Sequence, residues 1–490
     1  MDLAAPRRNT EGSHAAVTGI EKSGDDLLAA IAAVTGGDGV LTGAAATAHY
    51  RDWRGRYQGD ALAVVFPSDT QQVSAVVKLC AANQVYIVPQ GGNTSLCGGS
   101  VPLTDGIPQI VLNLSRMNRI RNVDAVNYTM TVEAGCKLAS LYAAPEQADR
   151  LFPLGLTAVA PHCEIGGNLS TNAGGINVLR YGTARNLVLG LEVVLPDGRI
   201  WDGLRSLRKD NSGYDLKQLF IGSEGTLGII TAAVVKLFPL PKAVATACIA
   251  VRDPAVAVAL LSHLRATCGD TINSFELISR SCLDLVFKHI GGTHEPFAAQ
   301  HEWIVITQLA NVLPAPLDAA LREALVSFGA GVADFAITTD KIEAERWWKL
   351  RKNIAEAQKA EGISIKHDVS VPVSRVAEFL NQASTELRDT YPGLRIVAFG
   401  HMGDGNIHYN ISMRDAALNL AFIQQREREV NHIVYEVVRE LEGSISAEHG
   451  VGQLKRDELP RYRSALELEL MRSIKHTLDP HGLMNPGKVI

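Results

Sequence analysis

The residues best spaced for chemistry lie in Gly400-His401-Met402-Gly403-Asp404-Gly405-Asn406-Ile407-His408-Tyr409-Asn410. Asp-Gly between apolar runs signals a two-residue hairpin. Counted outward from Asp404-Gly405, Gly403 faces Asn406, Met402 faces Ile407 and His401 faces His408. Directly opposed residues carry Cβ atoms about 5 Å apart on one face of a ribbon. Two imidazoles so placed can close on one metal ion, and a loop of another shape can also bring them together. Further on, Ser446-Ala447-Glu448-His449-Gly450-Val451-Gly452 sets a carboxylate beside an imidazole, with glycines opening space around them. Two histidines and one carboxylate leave coordination positions free for substrate, as in a catalytic metal site. Any single histidine can instead be a satisfied core or surface residue, and that is the expectation for His162, His289, His294 and His476.

Three glycine-rich loops form a second constellation. Gly91-Gly92-Asn93-Thr94-Ser95 follows an apolar strand directly, and Gly98-Gly99 extends it. Such a loop can turn its backbone N–H groups on a phosphate, because no Cβ stands in the way. Gly166-Gly167-Asn168-Leu169-Ser170-Thr171-Asn172-Ala173-Gly174-Gly175 adds amides and hydroxyls suited to a heteroaromatic ring and a pyrophosphate. Gly222-Ser223-Glu224-Gly225-Thr226-Leu227-Gly228 is the third. One loop alone is as well explained by a tight turn; three within one region are not. None carries the lysine of a P-loop, and none fits GxGxxG between strand and helix, which excludes a P-loop NTPase and a Rossmann enzyme.

Arg351 and Lys366 flank the segment RKNIAEAQKAEGISIK, and either can neutralise a substrate carboxylate. The bland alternative is a pair of solvated helix charges. Trp347-Trp348 reads as core packing rather than a cofactor platform.

The elements that must position these residues fall into two textures. From Ala61 to Pro241 strands alternate with helices: ALAVVF, then a helix capped by Pro67-Ser68-Asp69, then VYIVP, IVLNL, TMTVEAG and a helix near 137–149. LVLGLEVVLPDGRI makes two strands about a Pro-Asp-Gly turn. Beyond Pro239–Pro241, strands near 245–251, 302–309, 332–337, 363–369 and 395–400 alternate with helices near 254–267, 314–328, 341–360 and 374–389. That pattern suits an antiparallel sheet with helices on one face. A long amphipathic helix at 416–442 and a final helix at 464–477 follow. The fold class is therefore α+β. It divides into a tail and helical segment (1–56), a cofactor-binding domain (57–240), a substrate or cap domain (241–425) and a helical segment (426–490) that closes on the cofactor domain.

Bulk composition narrows the function classes. The chain has 490 residues, 46% hydrophobic and 20% charged, with a formal net charge of −5, which argues against nucleic acid as a main partner. Seven cysteines without a CxxC pair fit reduced thiols and a cytoplasmic setting. No apolar run is long enough to span a membrane, and the first residues lack the apolar core of a secretory signal.

Taken together and in order, PQGGNTS, GGNLSTNAGGINVLRYG, GLEVVLPDG, IGSEGTLGIIT, GHMGDGNIHYN, SAEHGVG and LDPHGLMNPGK resemble the FAD-linked D-2-hydroxyacid dehydrogenases of the vanillyl-alcohol oxidase superfamily. The likeness runs from about residue 50 to the end. It implies the two-part FAD-binding domain of that superfamily, with an antiparallel-sheet cap. It places Gly91, Gly92, Asn93, Thr94, Ser95, Gly98 and Gly99 on FAD pyrophosphate. Pro161, Gly166, Gly167, Asn168, Thr171, Asn172 and Gly175 form a second FAD segment, Glu224, Gly228 and Ile229 a third, and Asn485 is a flavin-side contact. His401, His408 and Glu448 match metal ligands, usually zinc. Asn410 and His449 match substrate contacts, with His449 as general base, and Arg351 and Lys366 match holders of the distal carboxylate of 2-hydroxyglutarate.

Two departures shape these expectations. Asn93 stands where some members carry a flavin-linked histidine, so FAD is expected to be non-covalent. Ala355 stands where 2-hydroxyglutarate members carry threonine, which keeps D-lactate and D-malate open as substrates. The resemblance also implies an acceptor such as electron transfer flavoprotein or quinone, and allows a homodimer. An oxygen-using flavin oxidase, a zinc hydrolase and a non-catalytic nucleotide binder are the rival readings. The hydrolase leaves the glycine loops unexplained.

Overall fold

Asp69 starts the helix Thr70–Ala82 by accepting from the Gln72 N–H at 2.8 Å, as the Pro-Ser-Asp signal predicts. That helix covers a four-stranded sheet ordered Val40–Leu41, Ala63–Val65, Gln109–Asn113, Tyr86–Gln90. Its last three strands pair in parallel and are largely buried, which is why they read as continuous apolar runs. The structure, a computed structural model, describes residues 13–156, 160–329 and 331–490.

A five-stranded antiparallel sheet follows, ordered Ile120–Asp124, Thr129–Glu133, Ile229–Lys236, Val188–Val194, Ile200–Gly203. The Pro-Asp-Gly turn joins its last two strands, with Val194 opposite Ile200. The C-terminal tail returns to the first sheet. Met484 bridges Ile87, the Asn485 N–H donates to the Ile87 carbonyl, and Lys475 donates to the carbonyls of Thr226 and Met484.

The second half is built on a seven-stranded antiparallel sheet. Its order is Val332–Thr338, Ala243–Val251, Trp303–Asn311, Ile272–Ser279, Leu394–Gly400, Asn406–Met413, Ile365–Ser370. Helices cover both faces rather than one. Pro254–Cys268, Leu317–Phe328, Val376–Thr390 and Asn419–Glu440 share a core with one face, while Arg280–His289, Lys341–Lys352 and Ile354–Glu361 share a core with the other. Burial on two faces erases the period-two pattern, so the central strand Ile272–Ser279, buried at every position, gives no strand signal in sequence. The helix expected over 341–360 breaks at Asn353, leaving Arg351 in the last turn of one helix and Ala355 in the first turn of the next.

The histidine turn also differs from a two-residue hairpin. His408 pairs with Phe399, not His401, and a single 3-10 turn, Met402–Asp404, joins the strands with Gly405 left-handed at φ +85°. His401 therefore leaves the sheet edge while His408 stays within it. Among the described residues no helix is long and apolar enough to cross a membrane. All seven cysteines are free thiols.

Candidate active site

Glu276 sits in the middle of the central strand with no access to solvent. Its Oε1 lies 2.6 Å from His401 Nδ1, and its Oε2 accepts from Arg351 Nε at 2.6 Å. Burial alone would raise this carboxyl, but His401 and Arg351 outweigh it and hold the group at about 2. The same pairing lifts His401 to about 9 against its own burial. A carboxylate behind an imidazole fixes the ring and its tautomer, and leaves Nε2 facing outward.

Asp368 plays the matching part on the other side. Its Oδ2 accepts the backbone N–H groups of Glu448 and His449, each at 2.9 Å, and its Oδ1 accepts from Asn406 Nδ2 at 2.9 Å. His408 Nδ1 stands 3.7 Å from Oδ1, and His449 Nδ1 stands 3.5 Å from Oδ2. Asp368 thus seats the Ser446–Gly452 loop and backs two imidazoles. Burial opposes its charge, yet His449, Lys455 and the Glu448 N–H hold it far below the usual carboxylate range. Burial also holds His408 well below its ordinary value, so that ring is neutral.

The three outward nitrogens converge on one oxygen. Glu448 Oε1 lies 3.9, 3.6 and 3.7 Å from the Nε2 atoms of His401, His408 and His449. Ligands of one tetrahedral zinc stand about 3.4 Å apart, so this donor set fits a divalent metal. Ligand atoms of Asp368, His408, Glu448 and His449 all lie within 4.8 Å of one another. Asp368, however, already accepts three N–H bonds and suits an orienting role better than a ligand's. His401, outside that grouping, keeps Nε2 free and is held from behind by Glu276.

The glycine loops line the same cavity, of about 430 Å³. Among the described residues the N–H groups of Gly92, Asn93, Thr94 and Ser95 meet no protein acceptor, the arrangement that binds a phosphate. Gly92 must be bare, since a Cβ there would lie 1.9 Å from the His162 carbonyl, whereas a Cβ on Gly167 would enter open space. These features fit FAD. The Asn93 side chain donates to the Arg51 carbonyl and accepts from Ser100. Gly99, Gly166, Asn168, Thr171, Gly175, Gly228 and Ile229 also line the wall.

Four expected FAD residues stand outside that wall. Pro161 is exposed. Gly98 packs on the Tyr57 ring, and Asn172 accepts from the Arg185 N–H. Asn485 donates to the carbonyls of Gly99 and Glu224, tying two FAD loops together from behind. Glu224 does line the cavity, but its carboxylate oxygens accept from the N–H groups of Val451 and Gly452, at 2.6 and 2.9 Å. It therefore joins the third glycine loop to the loop carrying Glu448.

At the other end the wall is formed by Trp348, Arg351, Ala355, Gln358, Lys366, Phe399 and Asn410. Arg351 lies over the Phe399 ring at 4.8 Å and gives only Nε to Glu276, leaving its terminal nitrogens for a ligand. Burial, and then Arg54, pull Lys366 down to about 8. Asn410 Nδ2 donates to Gln358 Oε1 at 2.9 Å. Trp348 is both core and cavity wall. Sequence reasoning missed Glu276, Asp368, Gln358 and Phe399; each sits in a strand or helix with no motif of its own.

Residues 61–203 match the FAD binding domain family, and residues 240–489 match the FAD linked oxidases, C-terminal domain. A probable mitochondrial D-2-hydroxyglutarate dehydrogenase of Oryza sativa subsp. indica is 38% identical, over 90% of this chain and 77% of its own. The D-2-hydroxyglutarate dehydrogenase of Xanthomonas citri pv. viticola is also 38% identical, over 90% of this chain and 92% of its own. A D-2-hydroxyglutarate–pyruvate transhydrogenase of Saccharomyces cerevisiae is 35% identical, over 90% and 88%. Among solved structures, p-cresol methylhydroxylase aligns with a TM-score of 0.74 at 18% identity, over 96% of this chain and 97% of its own, a likeness of fold alone. The chain belongs to the FAD-linked D-2-hydroxyacid dehydrogenases of the vanillyl-alcohol oxidase fold, enzymes that oxidise a CH–OH donor with FAD.

Proposed function

We propose that the chain oxidises D-2-hydroxyglutarate, or a closely related D-2-hydroxy acid, to the 2-oxo acid, using non-covalent FAD and a divalent metal of the zinc type. The observation carrying this reading is that Arg351 and Lys366 line the cavity that also holds His401, His408, Glu448 and His449. Arg351 has spare donors, and among the described residues Lys366 has no carboxylate partner. A substrate with one carboxylate leaves this end unneutralised. A second carboxylate satisfies it, and Gln358 with Asn410 supplies polar wall where Ala355 lacks a hydroxyl.

A bound divalent metal would supply Lewis acidity toward the hydroxy acid, and bound FAD would supply a hydride acceptor. His401, His408 and Glu448 would hold the metal. His449, backed by Asp368 at Nδ1, takes the hydroxyl proton at Nε2 as general base. Arg351 and Lys366 hold the distal carboxylate, fixing C2 in place. Trp348 and Phe399 supply the apolar wall at that end. The acceptor proposed for the electrons is electron transfer flavoprotein or a quinone. The test is kcat/KM for D- and L-2-hydroxyglutarate, lactate and malate, in the native enzyme and in Arg351→Ala. The expected result is a preference for D-2-hydroxyglutarate that Arg351→Ala erodes far more than it erodes D-lactate turnover. Equal losses on both substrates would remove Arg351 from recognition of a second carboxylate.

A further inference from the structure

Glu164 lies in the glycine-lined part of the cavity wall, and the mechanism above makes no use of it. The residue is 4% exposed, and its Oε2 is buried without a hydrogen-bond partner among the described residues. It stands just before the helix Ile165–Ser170, yet its side chain does not cap that helix. A Cβ on Gly91 would stand 3.3 Å from Oε2, so the carboxyl adjoins the first glycine of the loop with free N–H groups. An ionised carboxylate buried beside a pyrophosphate is opposed twice, by desolvation and by like charge. Burial pushes this carboxyl up to about 7, and Lys137, the opposing influence, offsets only part of that. A neutral carboxylic acid has one O–H donor to give.

We propose that Glu164 is a cofactor-binding residue that acts as a carboxylic acid, donating its proton to an acceptor oxygen of FAD. The inference rests on FAD occupying this cavity. The charged and titratable groups around Glu164 are Lys137 across the bridging pair, the thiols of Cys136 and Cys163, and the exposed imidazole of His162. Burial raises both thiols, so they stay protonated at neutral pH. Glu133, on the neighbouring strand, is held by Arg119 and Arg121. Glu164→Gln donates an N–H at every pH and leaves the exposed His162 in place.

The experiment is FAD release on dilution of the holoenzyme, read by flavin fluorescence from about pH 6 to about pH 9, for the native enzyme and Glu164→Gln. The native dissociation constant should rise by up to about tenfold per pH unit above neutrality. Glu164→Gln should stay nearly flat. Parallel profiles, or tighter native binding at high pH, would overturn the proposal. If the variant does not fold, the native profile alone decides, and a pH-independent one is contrary to it. A holoenzyme without visible flavin absorbance would instead refute occupation of the cavity by FAD, and the proposal with it.

Discussion

His401 and Arg351 are gripped by the two oxygens of a single buried carboxylate, with Glu276 2.6 Å from His401 Nδ1 on one side and 2.6 Å from Arg351 Nε on the other. The proposed metal corner and the proposed substrate-carboxylate corner would therefore share one anchor. Glu276→Gln keeps the shape and removes the charge. It should weaken metal affinity by about 10- to 100-fold and raise the KM for D-2-hydroxyglutarate in the same variant. Metal titration and steady-state kinetics check this, and loss of one property without the other would disprove a common anchor.

The charge on Lys366 sets a limit at high pH. Burial and Arg54 lower it to about 8, so the ammonium is present below that pH and lost as pH rises through it. The KM for D-2-hydroxyglutarate should therefore climb above about pH 8 while kcat changes little. Lys366→Met should raise KM at all pH values and abolish the inflection. A native KM flat across this range would remove Lys366 from substrate binding.

Replacing His449 separates proton transfer from metal holding. Its Nδ1 stands 3.5 Å from Asp368, and its Nε2 faces the Glu448 oxygen. His449→Ala should cut turnover by about two to four orders of magnitude while FAD and metal stay bound. Loss of metal in elemental analysis would show that this imidazole is a ligand.

Two glycines of one loop should fail in different ways. A Cβ on Gly174 would stand 2.9 Å from Glu448 Oε2, while one on Gly167 would enter open cavity. Gly174→Ala should lose metal on dialysis and keep flavin. Gly167→Ala should lose flavin and keep metal. Identical behaviour of the two variants would contradict the division of the cavity into flavin and metal parts.

The residues proposed to hold the metal and substrate are legible in sequence because glycines isolate His401, His408, Glu448 and His449 from ordinary core patterns. Their backing was not. Glu276 hides in a strand buried on both faces, where alternation vanishes, and that strand was missed altogether. Asp368 belongs to a strand that was foreseen, but nothing in its neighbours marks it as the acceptor of the Glu448 and His449 N–H groups, which come from 80 and 81 residues away. The turn between His401 and His408 was misread because Asp-Gly signals a two-residue hairpin, whereas the chain inserts a 3-10 turn and moves the register by two positions. The resemblance assigns Asn485 and Glu224 to the FAD site; their side chains also tie loops together through long-range hydrogen bonds that the sequence does not mark.

Anaerobic mixing with D-2-hydroxyglutarate, before and after metal removal by a chelator, tests the joint flavin and metal site most directly. The metal-loaded enzyme should bleach its flavin absorbance in a single turnover. The stripped enzyme should retain FAD yet bleach slower by orders of magnitude, and added zinc should restore the rate. Equal bleaching rates with and without metal would contradict a reaction centred on His401, His408 and Glu448.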